Sequence, residues 1–341
     1  VRVNQPHPRP GSALLAAAAA LATVLIVIVL TADQPGETIR TFVWGPWSNR
    51  FALGNLLTRA GLLALTGAGV VIVFRAGIFN LGGEGQVYLG AVVTTIVALT
   101  TPLPGFFAAL AGAGAAAALA ALSGWLRQAT GADELITSFL LSAAVAPVLD
   151  YLLVGPLRDQ TSSLLATPKV PEAMQLTRLL PPSSLTTALF WAPAVVILLG
   201  FLINRTLFGY ELRIVGYNRR LARYAGVSVG VYTVVPMAVS GFLHGLAGTA
   251  LVLGVHHRSI LQFSGGLGWN GIAVALIARN RPALLLPAAL FFAFLDAGAR
   301  AAVLQNQTTW ELGSIVQAVV FLFVTADVLA RRRAPKKEAA T

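Results

Sequence analysis

Arg75-Ala-Gly-Ile-Phe-Asn-Leu-Gly-Gly-Glu-Gly-Gln86 interrupts two apolar runs that would otherwise read as neighbouring membrane spans. Gly77, Gly82, Gly83 and Gly85 each lower helix stability by roughly 1 kcal/mol relative to alanine. Asn80, Glu84 and Gln86 are polar groups that hydrocarbon cannot satisfy. The helix is therefore expected to break here. Non-helical backbone at membrane depth survives only where protein or a water-filled cavity surrounds it, and broken helices of this kind often form the solute site of transporters. The alternative is an ordinary Gly-rich turn, but a carboxylate flanked by three glycines is an odd choice for a connector.

Working outward, composition sets the class. Hydrophobic residues make up 56% of the 341 and charged residues 11%, with a mean hydropathy of +0.76, so the chain reads as an all-α polytopic membrane protein. The formal charge of +11 is spread among apolar runs instead of forming one basic domain, which fits membrane orientation and not nucleic-acid binding. With no cysteine and four histidines lacking HExxH spacing, disulfides, thiolate sites and a zinc centre are not expected.

Upstream of the break, 1–12 form a polar tail and Ala13 to Leu30 an uncharged run of eighteen residues, read as an uncleaved first span. Leu56 to Phe74 is the second, preceded by Trp44 and Trp47 as interface anchors. Downstream, spans are expected at Val87 to Thr101, Gly105 to Trp125, Leu135 to Leu153, Ala188 to Ile203, Tyr232 to Leu253, Trp269 to Ala278, Ala283 to Arg300 and Leu312 to Leu329, which makes about ten within a single transmembrane domain at 13–330. The Ala/Gly-rich fourth span is expected to pack inside the bundle. An external loop at 154–187, a cytoplasmic loop at 204–231 and a basic tail at 331–341 complete the plan.

With the N-terminus inside, sixteen of the 24 Lys and Arg fall on cytoplasmic segments, as the positive-inside rule requires, and the C-terminus is cytoplasmic too. Gly82-Gly83-Glu84-Gly85-Gln86 and Gly265-Gly266-Leu267-Gly268-Trp269 are similar and five spans apart, which predicts an inverted repeat with paired broken helices. Asp150, Asp296 and the pair His256-His257 read as solvated boundary or loop positions.

No G-x-x-x-x-G-K-[ST] phosphate loop occurs, and serine hydrolase, kinase and metalloprotease patterns are missing, so the chain is not expected to be an enzyme. An ion-coupled carrier would need a titratable group at mid-membrane, and apart from Glu84 the spans offer none that is convincingly central.

Phe74-Arg-Ala-Gly-Ile-Phe-Asn-Leu-Gly-Gly-Glu-Gly-Gln-Val-Tyr-Leu-Gly-Ala91 closely resembles the hallmark of bacterial ATP-binding-cassette importer permeases for nucleosides and simple sugars. Gly209 to Gly226 resembles the same family's cytoplasmic segment, and Ser264 to Leu276 its late glycine-rich element; the likeness runs from about Leu56 to Leu329. Arg219-Arg220 and Leu221 depart from the family, which more often has a proline and small residues there. The resemblance implies a permease subunit in the bacterial cytoplasmic membrane. Its expected partners are an ATP-hydrolysing subunit carrying ATP and Mg, a second permease (a heterodimer, with a homodimer open), a solute-binding lipoprotein or periplasmic protein, and membrane lipid. It also implies a coupling helix within Glu211 to Gly226, for which Glu211, Leu212, Arg213, Gly216, Asn218, Arg223, Tyr224 and Gly226 are the candidate residues. Leu212, Val215 and Tyr224 can pack, the arginines suit an acidic groove, and Gly216 and Gly226 can end helical turns.

For the solute path, Phe79, Asn80, Glu84 and Gln86 from the first break and Trp269 and Asn270 from the second are the candidates. Rings stack on bases and sugar faces, and amides hydrogen-bond purine edges or ribose hydroxyls. Glu84 has a second available role, accepting free N–H groups of broken backbone. The solute is expected to be a nucleoside, purines favoured, or a simple sugar.

Overall fold

The computed structural model describes residues 11–306 and four positions between 315 and 322. The expected span at Leu312 to Leu329 and the basic tail lie essentially outside them, as does most of the N-terminal tail. The chain divides into two compact units, Val1–Ser48 with Phe294–Thr341, and Asn49–Ala293.

In the first unit, α1 (Gly11–Thr31) is followed by α2 (Pro35–Trp44), which starts on a proline whose missing N–H costs nothing in a first turn, and a 3-10 turn, Gly45–Trp47. Its packing is aromatic. Phe294 meets Phe42 edge-on at 6.0 Å and stacks on Trp47 at 6.1 Å. Asp296, expected at a solvated boundary, is instead buried and ion-paired with Arg300 one turn later.

The second unit carries the break. α3 (Arg50–Arg75) starts on an Asn49 side chain that accepts the Ala52 N–H, and ends where Gly77 turns left-handed at φ +68°. Residues 76–82 are non-helical, and α4 (Gly83–Thr100) then begins. The break is thus shorter than the Gly-rich stretch suggested: Gly83, Glu84, Gly85 and Gln86 form the first turn of α4. The Pro102-Leu103-Pro104 turn leads to α5 (Gly105–Thr130), stopped by Gly131 at φ +76°, and α6 (Glu134–Val154) follows on an Asp133 cap. After the loop come α7 (Trp191–Arg205), α8 (Leu207–Tyr217), α9 (Arg219–Tyr224) and α10 (Val231–Ala250), which runs on as a π-helical segment, Leu251–His256. The second break spans 257–266, and α11 (Leu267–Ile277) and α12 (Leu285–Asn306) follow.

Among the described residues six helical stretches are long and apolar enough to cross a membrane, with Leu21–Thr31 and Leu267–Ile277 shorter apolar helices. This is an all-helical membrane architecture. At its centre α10 packs on α3, α4 and α5. Glycines permit the approach, because a Cβ on Gly248 would sit 2.0 Å from the Val87 carbonyl and one on Gly90 2.5 Å from the Gly245 Cα. The fourth expected span departs from its prediction. Ala108, Gly112, Ala116, Ala120 and Gly124 form a buried stripe at four-residue spacing, but Phe106, Phe107, Leu110, Leu122 and Trp125 occupy the opposite face and are exposed. Small residues bury one face of α5, not the whole helix.

Candidate functional site

Breaking α3 from α4 frees backbone donors inside the unit, and α6 supplies their acceptors. Glu134, Ser138 and Ser142 recur every four residues and so share one face. Phe79 N donates to Glu134 Oε1 (3.3 Å), Leu81 N to Ser138 Oγ (3.0 Å) and Gly85 N to Ser142 Oγ (2.8 Å). Glu134 also ion-pairs with Arg127. Within the break, Asn80 and Gln86 exchange amide hydrogen bonds at 2.8 and 2.9 Å, Asn80 Oδ1 accepts the Gly82 N–H, and Asn80 Nδ2 donates to Ser240 Oγ. Both amides are buried. Asn80 thereby uses both amide N–H donors and accepts twice, and Gln86 gives it one donor and one acceptor in return, so the pair braces the break.

Glu84 joins the two breaks. One carboxylate oxygen accepts the N–H of Gly266 (2.9 Å) and the other that of Gly268 (2.8 Å). These donors lie at the start of α11, where helical N–H groups lack intrahelical partners and the helix dipole favours an anion. From the other side, Arg59 Nη2 donates to the Gly265 carbonyl (3.3 Å). The peptide group joining Gly265 to Gly266 is therefore held between a cation and an anion. The two helix starts touch through backbone, since a Cβ on Gly268 would lie 2.2 Å from Glu84 N and 2.3 Å from Gly83 C. Glycine here is a requirement of distance. His244, fully buried on α10, lies against Gly69 and Gly83. Its Nδ1 is 2.7 Å from the Ser240 carbonyl, which can only accept, so Nδ1 carries the proton.

The path candidates thus separate. Asn80, Gln86 and Asn270 are buried, whereas Phe79 and Trp269 are 41% and 38% exposed. Phe79 meets Phe74 edge-on at 5.0 Å, and Trp269 lies 6.2 Å from the exposed ring of Phe139 on α6. Trp269, Phe139 and the half-buried Glu84 surround the place where the breaks meet. Phe139, Arg59, His244 and the Glu134/Ser138/Ser142 face were not among the sequence candidates. The four-residue spacing on α6 was the one available signal.

The 154–187 loop is stitched to the π-helical segment and the second break by backbone bonds: Leu176 N to Leu253 O, and Val170 N to His257 O, Thr167 N to Ser259 O and Leu261 N to Leu165 O, at 2.8–3.0 Å. His256 and His257 are accordingly built into a contact and are not plain polar loop. His256 meets Phe263 edge-on, and His257 Nε2 lies 3.4 Å from Arg178. Asp150 accepts a 2.6 Å bond from the Tyr88 hydroxyl, so it too has a specific partner.

At the opposite end, α8 and α9 make up most of the 204–231 loop. Leu212 and Val215 are buried and anchor α8 to the unit. Glu211 accepts from the Tyr232 hydroxyl (2.7 Å). Gly216 is the penultimate residue of α8, and a Cβ there would be 2.2 Å from the Arg75 carbonyl, while one on Gly77 would be 2.9 Å from the Gly216 carbonyl. α8 therefore rests on the turn that opens the first break. Asn218 caps α9 by accepting from Arg220 N and Leu221 N, and Gly226, at φ +78°, follows α9. Tyr217, Leu221, Arg223 and Tyr224 are exposed, Tyr224 at 91%.

Comparison with known proteins agrees with this architecture. Residues 52–325 match the family model described as branched-chain amino acid transport system / permease component. A "Probable riboflavin import permease protein" of Treponema pallidum is 33% identical over 306 residues, covering 88% of this chain and 81% of that one. A glucose ABC transporter permease of Haloferax volcanii is 32% identical (84% and 79% covered), and a guanosine ABC transporter permease of Bacillus subtilis 26% identical (89% and 90% covered). Among solved structures, PsaBC from Streptococcus pneumoniae in complex with Fab aligns with a TM-score of 0.50 at 15% identity over 88% of this chain and 98% of that one, a likeness of fold alone. The chain belongs to the branched-chain amino acid transport system permease family and is a non-enzymatic permease subunit of an ATP-binding-cassette importer, whose ATPase is a separate subunit.

Proposed function

We propose that this subunit forms half of a translocation path for nucleosides, purine nucleosides first, with simple sugars as the second solute class. The observation that carries the reading is the pair of exposed rings, Trp269 and Phe139, beside the point where the two broken helices meet. Such faces stack on flat heterocycles. Guanosine and riboflavin, named for two relatives, both join a flat ring system to a polyhydroxylated five-carbon unit, a ribose ring in one and an open ribityl chain in the other; the glucose relative favours sugars. In this reading Phe79 and Trp269 face the solute and Glu84 holds the backbone behind them. Uptake of labelled guanosine into vesicles holding the full importer tests it: Trp269→Ala and Phe139→Ala lower uptake, with cost concentrated in KM. A partner lipoprotein that bound sugar and no nucleoside would reverse the order of solutes.

The finer architecture belongs to the same proposal. Ten spans contain an inverted five-span repeat whose half-helices are the elements starting at Gly83 and Leu267, set in the bacterial inner membrane with both termini cytoplasmic. A related but different permease completes the path, a lipoprotein delivers solute at the 154–187 face, and ATP with Mg²⁺ sits on the ATPase. α9 and the end of α8 dock on that ATPase through Tyr217, Leu221, Arg223 and Tyr224. The Gly216–Gly77 contact then passes motion to the first break. Arg223→Glu tests the docking surface. Loss of a desolvated interface charge costs about 2–5 kcal/mol, whereas a solvated loop charge costs well under ~1 kcal/mol. Normal ATPase binding and wild-type uptake in this variant would make the segment a bystander.

A further inference from the structure

Three arginines from separate elements converge where the spans end. Arg75 is the last residue of α3, and its Nε donates to the Asn280 carbonyl at 2.8 Å, which places it beside Arg281. Arg213 lies on α8 one turn before Gly216, the residue pressed against the Arg75 carbonyl. The guanidiniums of Arg213 and Arg281 are near enough to repel that of Arg75. No carboxylate answers them: among the described residues none of the three forms an ion pair, and Glu211, the acid nearest in sequence to Arg213, accepts from Tyr232. Three unbalanced cations, Arg75 and Arg213 partly buried and Arg281 exposed beside them, call for an anion.

The neighbouring surface says which kind. Pro282, next to Arg281, packs at Gly200 on α7. That part of α7 turns Ile197, Leu198 and Phe201 outward, and Leu284 and Leu286 are exposed just after the cluster. The cationic group thus caps an apolar wall, a pattern that takes a phosphate at one end and hydrocarbon along its length. An acidic peptide or free phosphate would leave the wall unused. We propose that Arg75, Arg213 and Arg281 form a binding site for the phosphate of an anionic phospholipid, whose acyl chains lie against α7 and the start of α12.

The test uses the complete purified importer, titrated with phosphatidylglycerol or phosphatidylcholine in mixed micelles and read as lipid retained by native mass spectrometry. Each basic residue near a membrane surface contributes on the order of 1 kcal/mol, so Arg213→Gln and Arg281→Gln should each weaken phosphatidylglycerol retention about fivefold, and together about 25-fold. Arg281→Lys should stay near wild type, and phosphatidylcholine should bind weakly to all. Arg281 lies in an exposed turn, so its variants carry the test even where Arg213→Gln disturbs α8. Equal retention of the two lipids, or a double variant that holds phosphatidylglycerol as wild type does, overturns the proposal. Displacement of the lipid by inorganic phosphate at comparable concentration would make the site one for free anions and overturn the lipid assignment. Loss of the ATPase subunit from the double variant with lipid retention unchanged would make the cluster a protein contact and overturn it as well.

Discussion

Glu84→Gln is the sharpest probe of the crossing. The carboxylate offers an oxygen to each of two backbone donors, Gly266 N at 2.9 Å and Gly268 N at 2.8 Å. An amide is isosteric but keeps a single acceptor oxygen, so one donor must face an NH₂ group. Hydrogen bonds to charged groups contribute about 1.5–3 kcal/mol and neutral ones about 0.5–1.5 kcal/mol. Losing one (about 1.5–3 kcal/mol) and weakening the other (about 1–1.5 kcal/mol) totals about 2.5–4.5 kcal/mol, and because Glu84 is half-buried and water can reach it, screening brings this down to about 2–3 kcal/mol. The cost falls on local opening of 264–269. Amide exchange at Gly266 and Gly268 should therefore quicken about 30- to 150-fold, at one factor of ten per 1.4 kcal/mol, while exchange in the α4–α5–α10 contact stays as it was. Glu84→Asp, one methylene shorter, should lose one of the two bonds and fall near the Gln variant. Exchange at both glycines within about threefold of wild type in Glu84→Gln would refute the claim that this carboxylate holds the second break.

Further outcomes follow from the same geometry. Gly248→Ala drives a Cβ to 2.0 Å from the Val87 carbonyl and should destabilise the unit by about 1–3 kcal/mol, read as a lower midpoint of thermal aggregation. Gly114→Ala, with nothing within 4 Å, should leave it unchanged or raise it by up to about 1 kcal/mol. Ser138→Ala strands the part-buried Leu81 N–H of the first break and Ser142→Ala the buried Gly85 N–H in the first turn of α4, and each should cost about 1–3 kcal/mol, with faster exchange at Leu81 or Gly85. Burial first, then the cations Arg178 and Lys169, hold the His257 imidazole below its ordinary range, so the neutral ring belongs to the folded loop. That contribution is complete above the ordinary histidine value of about 6.5 and is lost as pH falls through the lowered one. Protection factors across 165–176, exchange rates taken relative to the intrinsic rate at each pH, should fall on acidification, and His257→Asn should remove that fall.

How far these features were legible in the sequence depends on the range of the physics involved. The first break was readable because its cause is local: four glycines and three polar side chains within a dozen residues cannot stay an ordinary span. Its length was overread, because Gly83 to Gln86 start a helix whose first turn needs no intrahelical donors and tolerates glycine that backbone contact demands. The partners were not readable. Glu84 reaches donors 182 and 184 residues away, and Asn80 a hydroxyl 160 residues away; only packing selects those pairs. The amides of Asn80 and Gln86 show the consequence. Their chemistry suits a purine edge and a frayed backbone equally well, and the choice between them lies in what surrounds the side chain. The same holds for Leu212 and Val215, whose apolar character announced a contact but not with which surface. Burial by α8's own unit leaves Tyr217, Leu221 and Tyr224 to meet another subunit, and an apolar residue flanked by arginines reads alike on either face. Trp269 is the converse case. An exposed indole in a chain that buries Asn80, Gln86 and Asn270 is a large apolar surface left open beside a polar crossing, and that contrast, visible only in the fold, makes it the residue to test for solute contact.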